Sequence, residues 1–515
     1  MLRGRFYIFL IIFLVSIYAL TFSSSIFSAN TGEGYMRMRA LNSFFKSGQL
    51  GVNESVEGSI QGNFGLYYGW HEFGQNFFVL PFFLLLKPLR QSAYPFFICN
   101  AFITALAAVL IMKILEASGY GRKASLFTAL AYGLGSFAWF YAAKAPFEQP
   151  EAVFLLLAEF YFAIKYVTNR KRIYLLLSAA CLGFGVTTKT ELALSSVPLG
   201  ILLWTGLDAA RMKTKMLEFL KIAAVFSVVL APFAAFCLFY NYIKFGGVFD
   251  TGYAKVVRVP FFKPAYLFMG TTGFLFSPGK SIFLYSPALL LSLFSTAMFL
   301  RSIPRYIRAG LVSAALVYFL FYSAWADWHG DFCWGPRYLL LITPFLMMPA
   351  AALFESWKRL SRAKKTVISS ILAASVLVQI LPVASSHFLG LVMKYGKYRP
   401  IGIGDDGTLS YWASFFRLKE SAFFNQFGIF SDTLRMALDK KYALVLLPRL
   451  RAEWPLGTFM YFLKWFYLYA GFDLWWAQAG TTGAYLGAAG ISVLAALSLY
   501  GLIYEFKRAG NPQAS

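Results

Sequence analysis

Residues 122–191 read RKASLFTALAYGLGSFAWFYAAKAPFEQPEAVFLLLAEFYFAIKYVTNRKRIYLLLSAACLGFGVTTKTE. Three apolar runs, near 124–142, 150–167 and 172–188, are each close to the ~20 residues that a helix needs to cross a bilayer. The turns between them alternate in kind. Arg122-Lys123 and Arg170-Lys171-Arg172 are basic, whereas Phe147-Glu148-Gln149-Pro150 and Lys189-Thr190-Glu191 carry carboxylates or mixed charge. Inside lipid a backbone must satisfy its own hydrogen bonds, so runs of this length are helices. The stretch therefore reads as a piece of an all-α polytopic membrane protein with chemically different turns on its two sides.

The rest of the chain extends that pattern. Of 515 residues 59% are hydrophobic, 19% aromatic and only 14% charged, with mean hydropathy +0.60. A soluble chain of this size could not cover its core with so little polar surface. Further spans fall near 6–23, 95–115, 191–207, 218–241, 282–300, 308–325, 337–354, 365–384 and 482–504, so about twelve transmembrane helices are expected. The run Phe77–Leu86 is too short to cross and contains Pro81, which suits an interfacial or re-entrant helix. The formal charge of +24 would suit nucleic acid if it were gathered into a basic domain. Here the cations are dispersed between apolar runs, as cytoplasmic loops facing anionic lipid require.

Those basic clusters set the expected orientation. Arg3/Arg5, Arg122-Lys123, Arg170–Arg172, Arg211/Lys213/Lys215, Arg301/Arg305/Arg308, Lys358–Lys365 and Lys507-Arg508 all fall on one side, which is cytoplasmic by the positive-inside rule. Both termini are then inside, and the N-terminal run is an uncleaved first helix rather than a signal peptide. The chain divides into a catalytic transmembrane module, 1–385, with a first outer loop at 24–94; an aromatic-rich membrane-surface region, 386–481; and a final helix with its tail, 482–515. Cys99, Cys181, Cys237 and Cys333 lie in or beside apolar segments without metal-ligand spacing and read as small buried hydrophobes.

On this topology most of the conspicuous polar motifs share the outer rim. They are Asn30-Thr31-Gly32-Glu33, Tyr67-Tyr68-Gly69-Trp70-His71, Lys189-Thr190-Glu191, Ser277-Pro278-Gly279-Lys280 and Asp327-Trp328-His329-Gly330-Asp331…Gly335-Pro336-Arg337-Tyr338. Met36, Ala40, Phe44 and Phe45 share a helical face, so 34–47 is expected to be an amphipathic helix ended by Gly48. Glu33 would sit at its start, where a carboxylate complements the helix dipole.

An acidic residue just beyond the first helix, an amphipathic helix ending Gly48-Gln49-Leu50, then Tyr67-Tyr68…Gly74-Gln75-Asn76…Leu80-Pro81 resemble the first loop of GT-C glycosyltransferases. These are multipass relatives of dolichyl-phosphate-mannose protein mannosyltransferases and the aminoarabinose–lipid A transferase. The resemblance continues to about residue 355. It runs through Phe147-Glu148-Gln149-Pro150, Gly185…Lys189, Tyr240-Asn241…Thr251-Gly252-Tyr253, Phe274…Lys280…Tyr285-Ser286-Pro287 and Trp328…Arg337-Tyr338…Pro344. It implies a GT-C-like bundle with interfacial helices in the first outer loop, and Glu33 as the general base on the acceptor or its positioner; the later motifs resemble a bacterial branch, which implies a bacterial inner or plasma membrane.

The cations suit that chemistry independently. A polyprenyl-phosphate-linked sugar donor keeps its tail in the bilayer and its phosphate at the interface. Arg337, following Gly335-Pro336 at a helix start, can fork onto phosphate oxygens. Lys189 and Lys280, also at outer helix ends, are further donor-phosphate candidates, although each equally suits snorkelling to the headgroups. Tyr67, His71, Glu148, Asp327, His329 and Asp331 are candidate substrate-binding residues. Nothing matches a closed zinc geometry, so no metal or other cofactor is expected, a divalent cation being the sole candidate. There is no P-loop or dinucleotide-binding glycine fingerprint for a nucleotide.

The expected activity is transfer of a sugar, with inversion, to a lipid, glycan or protein acceptor on the extracytoplasmic face. Expected partners are the lipid-linked donor and membrane lipids, with no nucleic acid. A lipid-linked-saccharide flippase or transporter, or a polysaccharide polymerase or ligase, would use related recognition. A flippase should also carry charges along a midplane route, where Lys113, Glu159 and Lys221 stand isolated. The topology has a direct check. Single cysteines engineered within 50–60 and within 425–435 should both react with an impermeant reagent in intact cells, and protection of both would reverse the orientation.

Overall fold

The computed structural model describes residues 2–23, 32–56, 59–90, 92–207, 211–252, 261–330, 333–387, 414–442, 444–448 and 472–509. Helices dominate them. The sole named sheet among these residues is a short antiparallel hairpin, β1 (Ser59–Gln61) with β2 (Tyr67–Gly69), in register Ser59↔Gly69, Ile60↔Tyr68 and Gln61↔Tyr67. The chain is an integral membrane protein by its helices. Among the described residues five are long and apolar enough to cross a membrane: Tyr94–Ala117, Met212–Phe245, Arg305–Ser323, Arg362–Ala384 and Thr482–Lys507.

The other expected spans fall on helices as well, several of them short or broken. Helices α1 (Leu2–Leu20), α2 (Gly32–Ser47) and α3 (Gly74–Leu85) precede α4 (Tyr94–Ala117). The 124–142 run forms α5 (Arg122–Gly135) and α6 (Ala138–Ala143). They part at Ser136, whose hydroxyl caps Tyr132 O, while Phe137 N donates to Ser286 Oγ. Next come α7 (Gln149–Asn169), α8 (Arg172–Thr188), a 3-10 turn Thr190–Ser195, α9 (Ser196–Thr205) and α10 (Met212–Phe245). The 337–354 run is cut into Arg337–Leu341, Thr343–Met347 and Ala350–Glu355. Pro344 and Pro349 stand at the joins, where a missing N–H and the ring's clash with the preceding turn stop a continuous helix.

Helix α7 is the core element. It packs on α4 and α8, and the Arg337–Leu341 turn and α9 lean on it as well. Ala152, Val153, Leu156, Leu157, Phe160, Ala163 and Ile164 supply its buried rows. The last helix, Thr482–Ala509, lies along α1, so the two ends of the chain are neighbours. The short expected helix in the first loop is α3, with Pro81 inside it, resting on α4 and α8.

One buried amide fixes the turn that leads into α7. Asn100, on α4, points its side-chain nitrogen at the carbonyls of Tyr141 (3.3 Å), Ala145 (3.0 Å) and Phe147 (3.1 Å). The amide thus ties the end of α6 and the loop after it to α4. Asn100→Leu keeps the volume and removes the donors. It should lower unfolding free energy by about 1–3 kcal/mol, measurable as a drop in melting temperature of the detergent-solubilised protein.

Candidate functional site

The five residues 144–148 join α6 to α7 and end on Glu148, the residue that precedes the first turn of α7. Its carboxylate meets the positive end of the α7 dipole, but two cations dominate its surroundings. Arg37 Nη1 of α2 lies 2.7 Å from one oxygen, and both side chains are only 5% exposed. Lys189 Nζ, at the end of α8, lies 3.2 Å from the other and 3.4 Å from Glu191. Burial alone would push Glu148 up; Arg37, Lys189 and, more weakly, His71 hold it well below the usual carboxylate range.

The sequence makes this approach possible at Gly34. A Cβ there would lie 2.2 Å from Pro146 Cγ, so only glycine lets the first turn of α2 rest on the 144–148 loop. Arg37 follows three residues later, close to one turn on. The backbone of Glu33 belongs to the same first turn of α2; its side chain lies outside the described residues, as does all of Asp331.

A second group adjoins the first through aromatic rings. The Arg337 guanidinium lies 5.3 Å from the Phe147 ring centre and 4.9 Å from that of Tyr338, distances that favour cation–π attraction. Arg337 donates to Tyr338 Oη at 3.1 Å, and that hydroxyl donates to Asp327 at 3.0 Å. Asp327 also takes His329 Nδ1 at 3.1 Å, and the His329 ring stacks on Phe415. Lys189 lies 5.5 Å from the Tyr338 ring centre, which links the two groups. Tyr322, from the end of the Arg305–Ser323 helix, stacks on Tyr338 at 4.9 Å and 9°. Gly330, at φ +59°, leaves room for the Arg337 side chain: a Cβ there would lie 2.7 Å from Arg337 Cγ.

The remaining candidates divide. Lys280 donates to the carbonyls of Cys333 (3.0 Å) and Gly335 (3.1 Å), so it braces the turn that presents Arg337. His71 offers its carbonyl to Lys244 at 3.3 Å. Beside it, Glu72 accepts from Thr190 Oγ1; burial and the Glu191 charge push its carboxyl up. Tyr67 stays in the hairpin, pairing with Val52 through its backbone, and the hairpin packs on α2 where Gly69 faces Met36. Among the described residues, no group of three or more His, Cys, Asp or Glu could hold a metal ion.

Sequence reasoning gathered Glu148, Lys189, Arg337, Asp327 and His329 as separate candidates, and they share one neighbourhood. It missed Arg37, which looked like an ordinary charge of an amphipathic helix. Its flanking methionines, Met36 and Met38, are both buried, and that apolar setting was the available signal.

No protein-family model and no curated protein matches the chain. Among solved structures it is similar to ArnT from Cupriavidus metallidurans bound to undecaprenyl phosphate, at 16% identity and TM-score 0.45, over 81% of this chain and 76% of that one. The same protein in the apo state gives 15% identity and TM-score 0.47 over 81% and 75%. The archaeal oligosaccharyltransferase AglB from Archaeoglobus fulgidus, in complex with an inhibitory peptide and a dolichol-phosphate, gives 12% identity and TM-score 0.42 over 81% and 60%.

The ion-pair geometry makes a pH-resolved prediction. Glu148→Gln leaves Arg37 and Lys189 buried without their shared anion, a loss worth about 3–5 kcal/mol of stability. Because the folded carboxyl is depressed, its contribution is fully present above the unfolded value of about 4.3 and lost as pH falls toward the folded one. The stability gap between wild type and Glu148→Gln should therefore stay constant from about pH 5 to 8 and narrow below about pH 4, as read by chemical denaturation.

Proposed function

We propose that this chain is a GT-C type glycosyltransferase that moves one sugar from a polyprenyl-phosphate carrier to an acceptor at the extracytoplasmic membrane surface. The observation that carries the reading is the Arg337 guanidinium held between Phe147 and Tyr338, beside the Glu148 ion network and the first turn of α2 that contains Glu33. A planar cation at a helix start suits a lipid phosphate, and an acidic residue at the start of α2 suits a base.

In the proposed reaction the acceptor hydroxyl attacks the anomeric carbon as its proton passes to Glu33. The bond from that carbon to the phosphate oxygen breaks, and its electron pair leaves with the polyprenyl phosphate. Arg337 offsets the charge that grows on that leaving oxygen. A single displacement of this kind inverts the anomeric configuration, and it needs no nucleotide. Lys189 acts through Glu148, because its ammonium is balanced by Glu148 and Glu191. Lys280 acts through the Gly335 turn that it braces. His71, Asp327 and His329 frame the sugar side of the site, with Tyr67, on the hairpin, and Asp331 as further substrate contacts.

Two variants test the assignment with purified protein, a polyprenyl-phosphate monosaccharide and no ion gradient. Arg337→Lys keeps the charge but loses the bidentate fork, so donor use should fall by roughly tenfold or more, with a short-chain donor as well as a long one. Glu33→Gln should leave donor binding intact and lower turnover by about 10²–10⁴-fold. Full activity of Arg337→Lys would make that residue a mere anchor. Near-normal turnover of Glu33→Gln would remove the base assignment. Saccharide movement across a bilayer without transfer would favour a flippase.

A further inference from the structure

We infer that Asp473 and Lys144 are positioning residues for the Glu148–Arg337 site: their buried ion pair anchors one end of the 144–148 loop whose other end carries Glu148. The consequence for catalysis rests on the transferase reading above; the consequence for the loop does not.

The two residues are far apart in sequence and deeply enclosed. Lys144 Nζ lies 3.2 Å from Asp473 Oδ2, with side chains 2% and 8% exposed. The same ammonium donates to the Asp473 carbonyl. Ser23, just past α1, donates its hydroxyl to Asp473 Oδ1 at 2.7 Å and its N–H to Ala143 O. Neighbouring residues hold Asp473 in place. Its N–H reaches Ala384 O at 2.9 Å, and the Trp475 and Trp476 indoles donate to Ala19 O and Leu20 O, both at 2.9 Å.

From this clasp to the site the loop has no slack. Lys144 is held by Asp473; Ala145 O and Phe147 O are held by Asn100. Pro146 is wedged against Gly34. Phe147 lies against the Arg337 guanidinium, and Glu148 takes Arg37 and Lys189. Such a chain of anchored residues in a close-packed interior passes a displacement along instead of absorbing it. A buried ion pair is a poor choice for stability alone, since an apolar pair of similar volume is often as good. It does define direction and distance. Here it ties the segment just before the last helix to the loop under Arg337.

The test uses full-length protein in nanodiscs, in a background whose four native cysteines are replaced. Ala145→Cys is the reporter, because Ala145 is 3% exposed and a thiol there reacts only when the loop opens. With Asp473 intact, labelling by a polar maleimide should be slow. Asp473→Asn should speed it about tenfold or more while the helices still melt cooperatively, and Lys144→Arg, which keeps the pair, should label slowly. Ser23→Ala, which removes one hydroxyl donor, should give a smaller increase and serves if Asp473→Asn does not fold. In the activity arm, Asp473→Asn without the reporter should lower kcat per folded molecule by about 10–100-fold, as misplacement near 1 Å can, with donor KM little changed.

Unchanged labelling in folded Asp473→Asn and Ser23→Ala would overturn the inference. So would wild-type kcat per folded molecule, which would make the pair simple glue. If the wild type transfers no sugar from any polyprenyl phosphate, the transferase reading falls, and the labelling result alone decides whether the clasp holds the loop.

Discussion

A carboxylate buried between two cations is the constraint from which the site follows. Glu148 cannot sit ionised in a helix bundle alone, because losing its hydration would cost several kcal/mol. Arg37 and Lys189 offset that cost from two directions, and each direction fixes an element. Arg37 brings α2, and with it the first turn that contains Glu33, down onto the start of α7. Lys189 brings the end of α8 to the same point and turns the chain into the Thr190–Ser195 segment. Neither helix reaches that position through apolar packing only. A non-directional force would let them slide, whereas a charge-assisted bond at 2.7 Å does not.

The second consequence concerns Arg337. Its guanidinium rests on two rings and on the Tyr338 hydroxyl, which relays to Asp327. Lys189, by contrast, is matched by Glu148 and Glu191. Two cations that look alike in sequence are therefore different in kind. One closes an ion network with Glu148 and Glu191, and the other lies against the faces of Phe147 and Tyr338.

Polar residues do structural duty throughout this region. Asn100 satisfies carbonyls in the turn before α7, Lys280 braces the Gly335 turn, and Lys144 meets Asp473. In a membrane bundle the apolar effect does not distinguish helix from lipid, so register and depth are set by such directional contacts and by close approach at small residues such as Gly34. The region around the site is thus specified by a few strong, local bonds on a permissive hydrophobic frame.

The sequence by itself determined the helical, membrane-embedded character of the chain, because long apolar runs in lipid leave the backbone no other way to satisfy its hydrogen bonds. It also marked Glu148, Lys189, Asp327, His329 and Arg337, since charges beside apolar runs stand out. It could not tell a continuous span from a broken one: Pro344 and Pro349 interrupt the 337–354 run, and Ser136 parts α5 from α6, through local bonds that hydropathy does not register. Pairing was equally hidden. Arg37 and Glu148 are separated by 111 positions, and Lys144 and Asp473 by 329. A charge in a sequence has no address for its partner. Only the tertiary structure, by bringing helix ends together in a medium where an unpaired charge is costly, decided which cation meets which carboxylate.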